Sequence, residues 1–190
     1  KQYPNIEIEL CELSNKLYFS LLNGDLDLAI GNFTASMPEV EMYDFYHEEV
    51  VLLISKVLIK KLGLSNSTNL RDNLHNGDLS SLRTCPFVLG NLDSTASRIG
   101  RALIKQANFI PLVKATSNSA ETLLSLCLQN VGACFCQLNL AQAILSKEDQ
   151  KNILLFPLGS KARYQIRFAF LKSNYQWKII SEFIRIAKQK

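Results

Sequence analysis

The N-terminal part of the chain contains two apolar patterns separated by a predicted helix. Apolar and polar residues alternate in "IEIELCE" (residues 6–12), as in a half-buried strand, and "DLDLAIG" (residues 25–31) predicts a second strand. Ser14 can cap the helix between them, and Gly24 supplies its C-terminal stop. A strand, a helix and a strand in this order predict a βαβ unit with parallel neighbouring strands.

Strands and helices alternate along most of the remaining chain. Strands are predicted over "HEEVVLLISK", "CPFVLG", "PLVKAT", "ACFCQ", "ILLFPL" and "QIRFAFLK", and helical segments over "VLIKKLGL", "DSTASRIGRALIKQANF", "SNSAETLLSLCLQNVG", "NLAQAILS" and "YQWKIISEFIRIAKQK". The third of these helical segments is the best marked, because Asn118 and Glu121 approximate a capping box. Residues 65–84 are rich in Asn, Ser and Gly and are predicted to be irregular. The alternation predicts an α/β protein with mainly parallel sheets in two lobes.

The composition is that of an ordinary globular protein. Hydrophobic residues make up 47% and charged residues 20%, and the net charge of +4 comes from 21 Lys and Arg against 17 Asp and Glu. The basic residues are dispersed, without a cationic stripe interleaved with aromatics, so we expect no direct nucleic-acid binding by this chain. The apolar runs are shorter than the ~20 residues of a membrane helix, and no export signal is recognisable, so we expect no membrane partner.

The number and spacing of the cysteines indicate the redox state of the cellular compartment and whether metal binding is expected. The sequence contains five: Cys11, Cys85, Cys127, Cys134 and Cys136. An odd number without framework spacing predicts free thiols in a reducing compartment, the cytoplasm. Cys134 and Cys136 alternate in a predicted strand, so their sulfur atoms should share a face. No second Cys or His pair accompanies them. We therefore predict core packing rather than metal or redox chemistry, with no cofactor.

Four segments, taken in order, carry a family resemblance. "YPNIEIELCELS", the helix ending in "LLNGDLDLAIG" and then "FYHEEVVLLISK" are followed much later by "TSNSAETLLSLCLQNVGACFCQ". Each segment alone is weakly specific. Together they resemble, over essentially the whole chain, the effector-binding (regulatory) domain of LysR-type transcriptional regulators.

This resemblance implies a fold like that of type 2 periplasmic binding proteins. Such a fold has two Rossmann-like α/β lobes, joined by two crossover segments, with a small-molecule cleft between them. Lobe I would comprise residues 1–57 and 161–190, and lobe II residues 58–160, with crossovers near Ser55–Val57 and Gly159–Tyr164.

The family pattern also contains parts that this sequence does not. Family members begin with a winged helix-turn-helix domain and a linker helix, and their regulatory domain opens with a further strand and helix. The resemblance therefore implies an incomplete lobe I without its first βα unit, and DNA contact only through the N-terminal domain that is not in this sequence. It also implies a homodimer or homotetramer, with dimers that form through a helix and a strand edge.

Candidate ligand-binding residues follow from the implied fold. In open parallel sheets, ligands bind at the carboxyl ends of strands and the amino ends of the following helices, where unpaired N–H groups and the helix dipole favour small anions. This rule selects Ser14, Asn15, Gly31, Asn32, Phe33, Ser94, Thr95, Asn118, Ser119 and Gln137. Gly31 would let the backbone approach a ligand, Asn32 offers a donor and an acceptor, and Phe33 would wall the cleft. Ser14, Ser94 and Asn118 would also be adequate N-caps without any ligand.

The leading hypothesis is a sensor of a small anionic or amphoteric metabolite, which binds between the lobes and modulates DNA binding and transcription by the full-length protein. The alternative is a solute-binding protein of a transport system with the same fold, against which the unpaired cysteines and the lack of an export signal count. No enzyme and no metal site are predicted. His47 and His75 are lone histidines interpreted as surface groups, and Glu48 and Glu49 lack a partner at catalytic spacing and are interpreted as solvated positions.

Overall fold

The computed structural model describes residues 3–11, 17–65, 69–172 and 177–189. They fall into two compact units: unit 1 comprises Lys1–Tyr43 and Arg167–Lys190, and unit 2 comprises Asp44–Ile166. The chain passes from one unit to the other within two long strands. The lobe boundaries expected near residues 57 and 161 remain a prediction.

Eight α-helices, seven strands and two short 3-10 helices (Ser80–Leu82 and Ser160–Ala162) make up the described secondary structure. The helices are α1 (Leu17–Leu22), α2 (Lys56–Lys61), α3 (Leu70–His75), α4 (Thr95–Gln106), α5 (Ala120–Leu128), α6 (Leu138–Ile144), α7 (Lys147–Asn152) and α8 (Trp177–Ala187). The strands are β1 (Ala29–Gly31), β2 (Val40–Ser55), β3 (Pro86–Gly90), β4 (Leu112–Ser117), β5 (Cys134–Gln137), β6 (Ile153–Pro157) and β7 (Arg163–Leu171). Most therefore match the sequence prediction within a few residues.

Unit 1 is built around the short strand β1, which pairs antiparallel with β7 so that Ala29 lies opposite Ala169. The βαβ unit predicted at the N-terminus is wrong, because residues 6–11 form no strand and their apolar side chains are exposed, Leu10 by 91% and Ile8 by 61%. Alternation makes a segment suited to a sheet, but a strand forms only where a neighbour pairs with its backbone. Among the described residues, none pairs with this segment.

Unit 2 contains two sets of strand pairs with different directions. β2 pairs antiparallel with both β5 and β6, whereas β3 and β4 pair in parallel. The expectation of mainly parallel sheets is therefore confirmed for β3 and β4 and wrong for β2. A helical crossover makes consecutive strands parallel only when they are neighbours in one sheet. The neighbours of β2 come much later in the chain, so local connections do not fix their direction.

The two faces of β2 enter two different apolar clusters of unit 2. Val50, Leu52 and Ile54 belong to the first cluster, and Val51 and Leu53 belong to the second. Alternate side chains of a strand point to opposite faces, so the five-residue apolar run predicts burial on both faces. We call the two sets the first core and the second core.

The cysteines are free thiols, as predicted. Cys134 and Cys136 both lie in the second core, which confirms that their side chains share a face. Burial raises the pKa of the Cys136 thiol to about 11 and that of Cys85 to about 12. Cys11 is the exposed thiol, and the other four are buried. A buried neutral thiol is a poor nucleophile, so these side chains act as small apolar groups.

The segment over residues 65–84 is more regular than its composition predicts. It contains helix α3, and Leu70 and Leu74 of that helix are both buried in the first core. Their four-residue spacing places them on one helical face, although polar residues surround them in the sequence. Residues 66–68 lie outside the described part of the chain.

Candidate functional site

Three strands of unit 2 end at the same edge. In the parallel pair of β3 and β4, Gly90 lies opposite Ser117. β5 starts beside β3 in the same direction, through a parallel bridge between Phe87 and Ala133 whose Val88 N to Ala133 O hydrogen bond is 2.9 Å long. The carboxyl ends of all three strands, at Gly90, Ser117 and Gln137, therefore come together. We call this the strand-end edge.

Helix α4 begins just after the first of these strand ends. Ser94 is its N-cap residue, with extended φ and ψ of −73° and 128°, but its side chain makes no capping hydrogen bond. Thr95 is the first helical residue, and its hydroxyl oxygen accepts from Nη2 of Arg98 at 3.2 Å. The Ser94 hydroxyl is therefore not used as a cap, although the sequence makes it an adequate one.

A buried hydrogen-bond network joins α4 to the end of β3. The hydroxyl of Ser97, a residue that is 3% exposed, donates to the Gly90 carbonyl at 2.7 Å, and Nη2 of Arg101 donates to the same oxygen at 3.2 Å. Sequence reasoning missed both residues, although they are spaced four apart on one helical face. The network fixes a guanidinium beside the strand-end edge, where the α4 N-terminus already favours negative charge.

Helix α5 begins after the end of β4, and its cap differs from the prediction. Ser119, not Asn118, is the N-cap: its hydroxyl accepts from the Thr122 N–H at 3.2 Å. Asn118 lies one residue earlier, and Glu121 lies in the first turn. The helix starts one residue later than the Asn118–Glu121 capping box requires, because the serine hydroxyl meets the third helical N–H.

Gln137 ends β5 and occupies the N-cap position of α6, without a side-chain capping bond. Its side chain lies instead beside the hydroxyl of Tyr164, the second residue of β7. Burial, followed by the nearby carboxylate of Glu48, raises the pKa of the Tyr164 hydroxyl well above its usual range. The hydroxyl is therefore neutral at physiological pH and available as a hydrogen-bond donor.

The interpretation of Glu48 and Glu49 as solvated positions without a partner is wrong, since the Glu49 side chain is only 17% exposed and lies 3.7 Å from Arg163. Glu48 is only 5% exposed, and its Oε1 accepts from the Glu49 backbone N–H at 2.9 Å. Glu48 lies on the same face of β2 as Val50 and Leu52, which enter the first core. This parity was the signal in the sequence that could have identified Glu48 as an inward-facing carboxylate. His47 and His75 are exposed, as predicted.

In unit 1, the predicted residues surround the end of β1. Gly31 is its last residue, and Gly31, Asn32 and Phe33 are all half-buried. The Phe33 ring packs against the buried apolar cluster of unit 1. The backbone carbonyl of Phe33 accepts a hydrogen bond from Nη1 of Arg167 at 2.6 Å. A Cβ added to Gly31 would meet Phe33 Cζ at an ordinary 3.6 Å, so packing within unit 1 does not require glycine there. Ser14 and Asn15 lie outside the described residues.

Half of the predicted ligand-binding set thus follows the strand-end edge of unit 2: Ser94, Thr95, Asn118, Ser119 and Gln137. The edge offers free N–H groups at two helix starts, a hydroxyl, two amide side chains and a guanidinium. These groups suit a small polar molecule with an anionic group. Among the described residues, no three or more His, Cys, Asp or Glu side chains are grouped to hold a metal ion. No helix in the described part of the chain is long and apolar enough to cross a membrane.

Comparison with solved structures identifies the class of fold. The model matches the regulatory domain of CcmR from Synechocystis PCC6803, solved in complex with 2-PG, at 12% identity and a TM-score of 0.74, over 99% of this chain and 85% of that chain. It matches a C206 mutant of OxyR from Corynebacterium glutamicum at 14% identity and a TM-score of 0.70, over 100% and 56% of the two chains. It matches CbnR, a LysR family transcriptional regulator, at 19% identity and a TM-score of 0.63, over 93% and 56%. The fold is the two-lobed α/β fold of type 2 periplasmic binding proteins.

The sequence itself assigns the family. The family model described as the LysR substrate binding domain matches residues 1–190, so the chain belongs to that family. A comparison with curated protein sequences finds no match. The chain spans little more than half the length of CbnR, of which another solved structure contains the full-length protein complexed with its target DNA.

Proposed function

We propose that this chain is the effector-sensing domain of a cytoplasmic LysR-type transcriptional regulator. It binds a small anionic or amphoteric metabolite, and the effector changes how the full-length protein binds DNA and controls transcription. DNA contact is made by an N-terminal helix-turn-helix domain. The effector acts by binding one arrangement of the domain more tightly than another, since equal affinity for two states would shift neither.

The observation that carries this proposal is the strand-end edge in a member of the LysR substrate binding domain family. Three parallel strand ends, two helix starts and the Arg101 guanidinium concentrate donors and positive potential at one place in unit 2. The uncommitted hydroxyl of Ser94 supports the same assignment, because an N-cap serine that does not cap is free to bind a ligand. The CcmR regulatory domain was solved in complex with 2-PG, and at 12% identity that match supports the fold.

A thermal-shift screen of the purified protein against amino acids, dicarboxylates and aromatic acids tests the proposal. A ligand at about 100 times its Kd adds about 2.7 kcal/mol to the free energy of unfolding, which a melting curve detects readily. The rise in Tm that a hit produces is expected to shrink in both Ser94→Ala and Ser119→Ala.

Each variant is compared with its own unliganded Tm, because Ser119→Ala also removes the cap of α5. Ser146→Ala is the matched control, since Ser146 caps α7 in the same way but lies outside the strand-end edge. Its ligand-induced rise should equal that of the unmodified protein. A hit that survives both edge variants contradicts the placement of the site.

We further propose that the protein forms a homodimer through the exposed edge of β4. β4 pairs with β3 on one side, and no described strand pairs with its other side. Leu112 and Val113 of this strand are 49% and 40% exposed, and Ile110 just before it is 93% exposed. An unpaired strand edge with apolar side chains is a template for association with another chain.

Sedimentation of Val113→Asp tests the dimer. A charge on the exposed face of β4 should convert the dimer into a monomer, with little change in Tm measured under monomeric conditions. Leu92→Asp is the control, because Leu92 is 64% exposed but lies outside β4. An unchanged dimer in the Val113 variant would exclude this edge.

A further inference from the structure

Glu48 is the most deeply buried charged side chain in the described part of the molecule. It lies where the inward face of β2 changes from apolar to polar: Ile54, Leu52 and Val50 fill the first core, and Glu48 follows on the same face. Glu49 lies on the opposite face. The chain therefore buries a carboxylate at the end of an apolar row, where an apolar residue would pack without penalty.

The side chains around Glu48 come from two further strands. In the antiparallel pair of β2 and β5, Gln137 lies directly opposite Val50, so its side chain shares the face of Glu48. Tyr164 of β7 packs against the first core, and its hydroxyl lies near the Gln137 side chain and the Glu48 carboxylate. Tyr46, two residues before Glu48 on the same face, is 38% exposed, so this face reaches solvent just beyond Glu48.

None of these neighbours supplies a positive charge. Among the described residues, no Lys, Arg or His lies within ion-pair distance of Glu48, and its one hydrogen bond comes from the backbone N–H of Glu49. The nearby cation, Arg163, lies 3.7 Å from Oε2 of Glu49 and serves the other face. An ionised carboxylate that is removed from water without a counter-charge destabilises the folded state.

We propose that Glu48 binds the ammonium group of the effector, and that the Gln137 amide oxygen and the Tyr164 hydroxyl oxygen accept further hydrogen bonds from the same ammonium group. This inference rests on the proposed function and narrows it: the effector is amphoteric, an amino acid or a close analogue, rather than a simple carboxylic acid. Gln137 connects the two parts of the site, because it ends β5 at the strand-end edge and its side chain lies beside Tyr164 on the face of Glu48. The helix starts at that edge suit the carboxylate of the same molecule, and Glu48 suits its ammonium group.

The test compares matched pairs of ligands that differ in the amino group. The Tm of the purified protein is measured with each standard amino acid and with its desamino analogue, such as glutamate against glutarate and phenylalanine against 3-phenylpropionate, at constant ionic strength. An amino acid at about 100 times its Kd should raise the Tm by about 5–10 °C. Its desamino analogue should have no effect at the same concentration.

Glu48→Gln provides two independent readouts. It keeps the acceptor for the Glu49 N–H and removes the charge, so it should weaken binding of the amino acid about 100-fold. It should also raise the Tm of the unliganded protein, because the uncompensated charge is gone. Glu148→Gln is the control. Glu148 forms an exposed ion pair with Lys151, and this substitution should change neither the affinity for the amino acid nor the Tm of the unliganded protein.

Tyr164→Phe is the second variant, expected to weaken binding about threefold to tenfold while Glu48 stays in place.

The outcomes separate this inference from the proposed function. Equal stabilisation by both members of a pair, or by the desamino member alone, overturns the role of Glu48 and leaves an effector site intact. A lower Tm of unliganded Glu48→Gln also overturns it, since Glu48 would then be a structural residue. No stabilisation by either set overturns the amphoteric assignment, and the wider screen then decides the proposed function.

Discussion

Two glycines with positive φ angles allow the cost of backbone strain to be separated from the cost of a steric overlap. Gly159, between β6 and β7, has φ 73° and ψ −163°, a backbone conformation that only glycine adopts readily. A Cβ added there would overlap the carbonyl oxygen of His75 and lie 3.3 Å from its carbonyl carbon. Gly63, which follows α2, has φ 71°, and a Cβ there would meet nothing within 4 Å. Both positions belong to unit 2.

The structure gives different magnitudes for alanine at these positions. Gly63→Ala should cost about 1 kcal/mol, the strain of a left-handed residue with a side chain. Gly159→Ala adds the displacement of a backbone carbonyl, which cannot rotate away as a side chain would, so its cost should be about 3–5 kcal/mol. For a chain of this size, about 2–4 °C of Tm corresponds to each kcal/mol. Gly159→Ala should therefore lower the Tm by about 6–20 °C and Gly63→Ala by about 2–4 °C.

Urea denaturation gives the free energy of unfolding of both variants and of the unmodified protein. A reduced midpoint with an unchanged m-value identifies a loss of native-state stability rather than a change in the unfolded chain. Equal losses in the two variants would show that the contact with α3 contributes nothing, and would refute the reasoning. A Gly159→Ala variant as stable as the unmodified protein would refute the backbone conformation as well.

Three further predictions concern caps, thiols and one carboxylate. In urea denaturation, Ser119→Ala should lose about 1 kcal/mol with the cap of α5, whereas Ser94→Ala should lose less than about 0.5 kcal/mol because its hydroxyl caps nothing. Mass spectrometry after brief iodoacetamide treatment of the native protein should find Cys11 modified and the four buried thiols intact, until denaturant exposes all five. Hydrogen bonds from Arg185 hold the pKa of Glu182 at about 2, below its ordinary 4.5, so its stabilising contribution is complete above pH 4.5 and is lost as the pH falls towards 2. An NMR titration should show this pKa returning towards 4.5 in Arg185→Gln, and an unchanged value would contradict the assignment.

Local sequence patterns predicted most helices and strands of the fold, and the particular failures have one cause. "SNSAETLLSLCLQNVG" became α5 because caps and a four-residue apolar spacing act within one segment. "IEIELCE" has an equally clear alternation, yet its described residues form no strand. A helix satisfies its backbone hydrogen bonds internally, whereas a strand depends on a partner that its own sequence does not specify.

The candidate site likewise contains some residues that local patterns select and others that only the tertiary structure brings to it. The helix-start rule selected Ser94, Ser119 and Gln137, because strand ends and helix starts can be located from local patterns once the order of elements is known. It did not select Tyr164, whose place beside Gln137 depends on the pairing of residues distant in the chain.

The sequence by itself determined which side chains of β2 share a face, and hence that Glu48 points the same way as Val50 and Leu52. Only the tertiary structure decided that this face stays covered as far as Glu48, and that no cation accompanies the carboxylate. The period of a strand is a property of its covalent backbone, so the sequence contains it. Burial and charge pairing depend on residues that are brought close by folding, and no local pattern contains them.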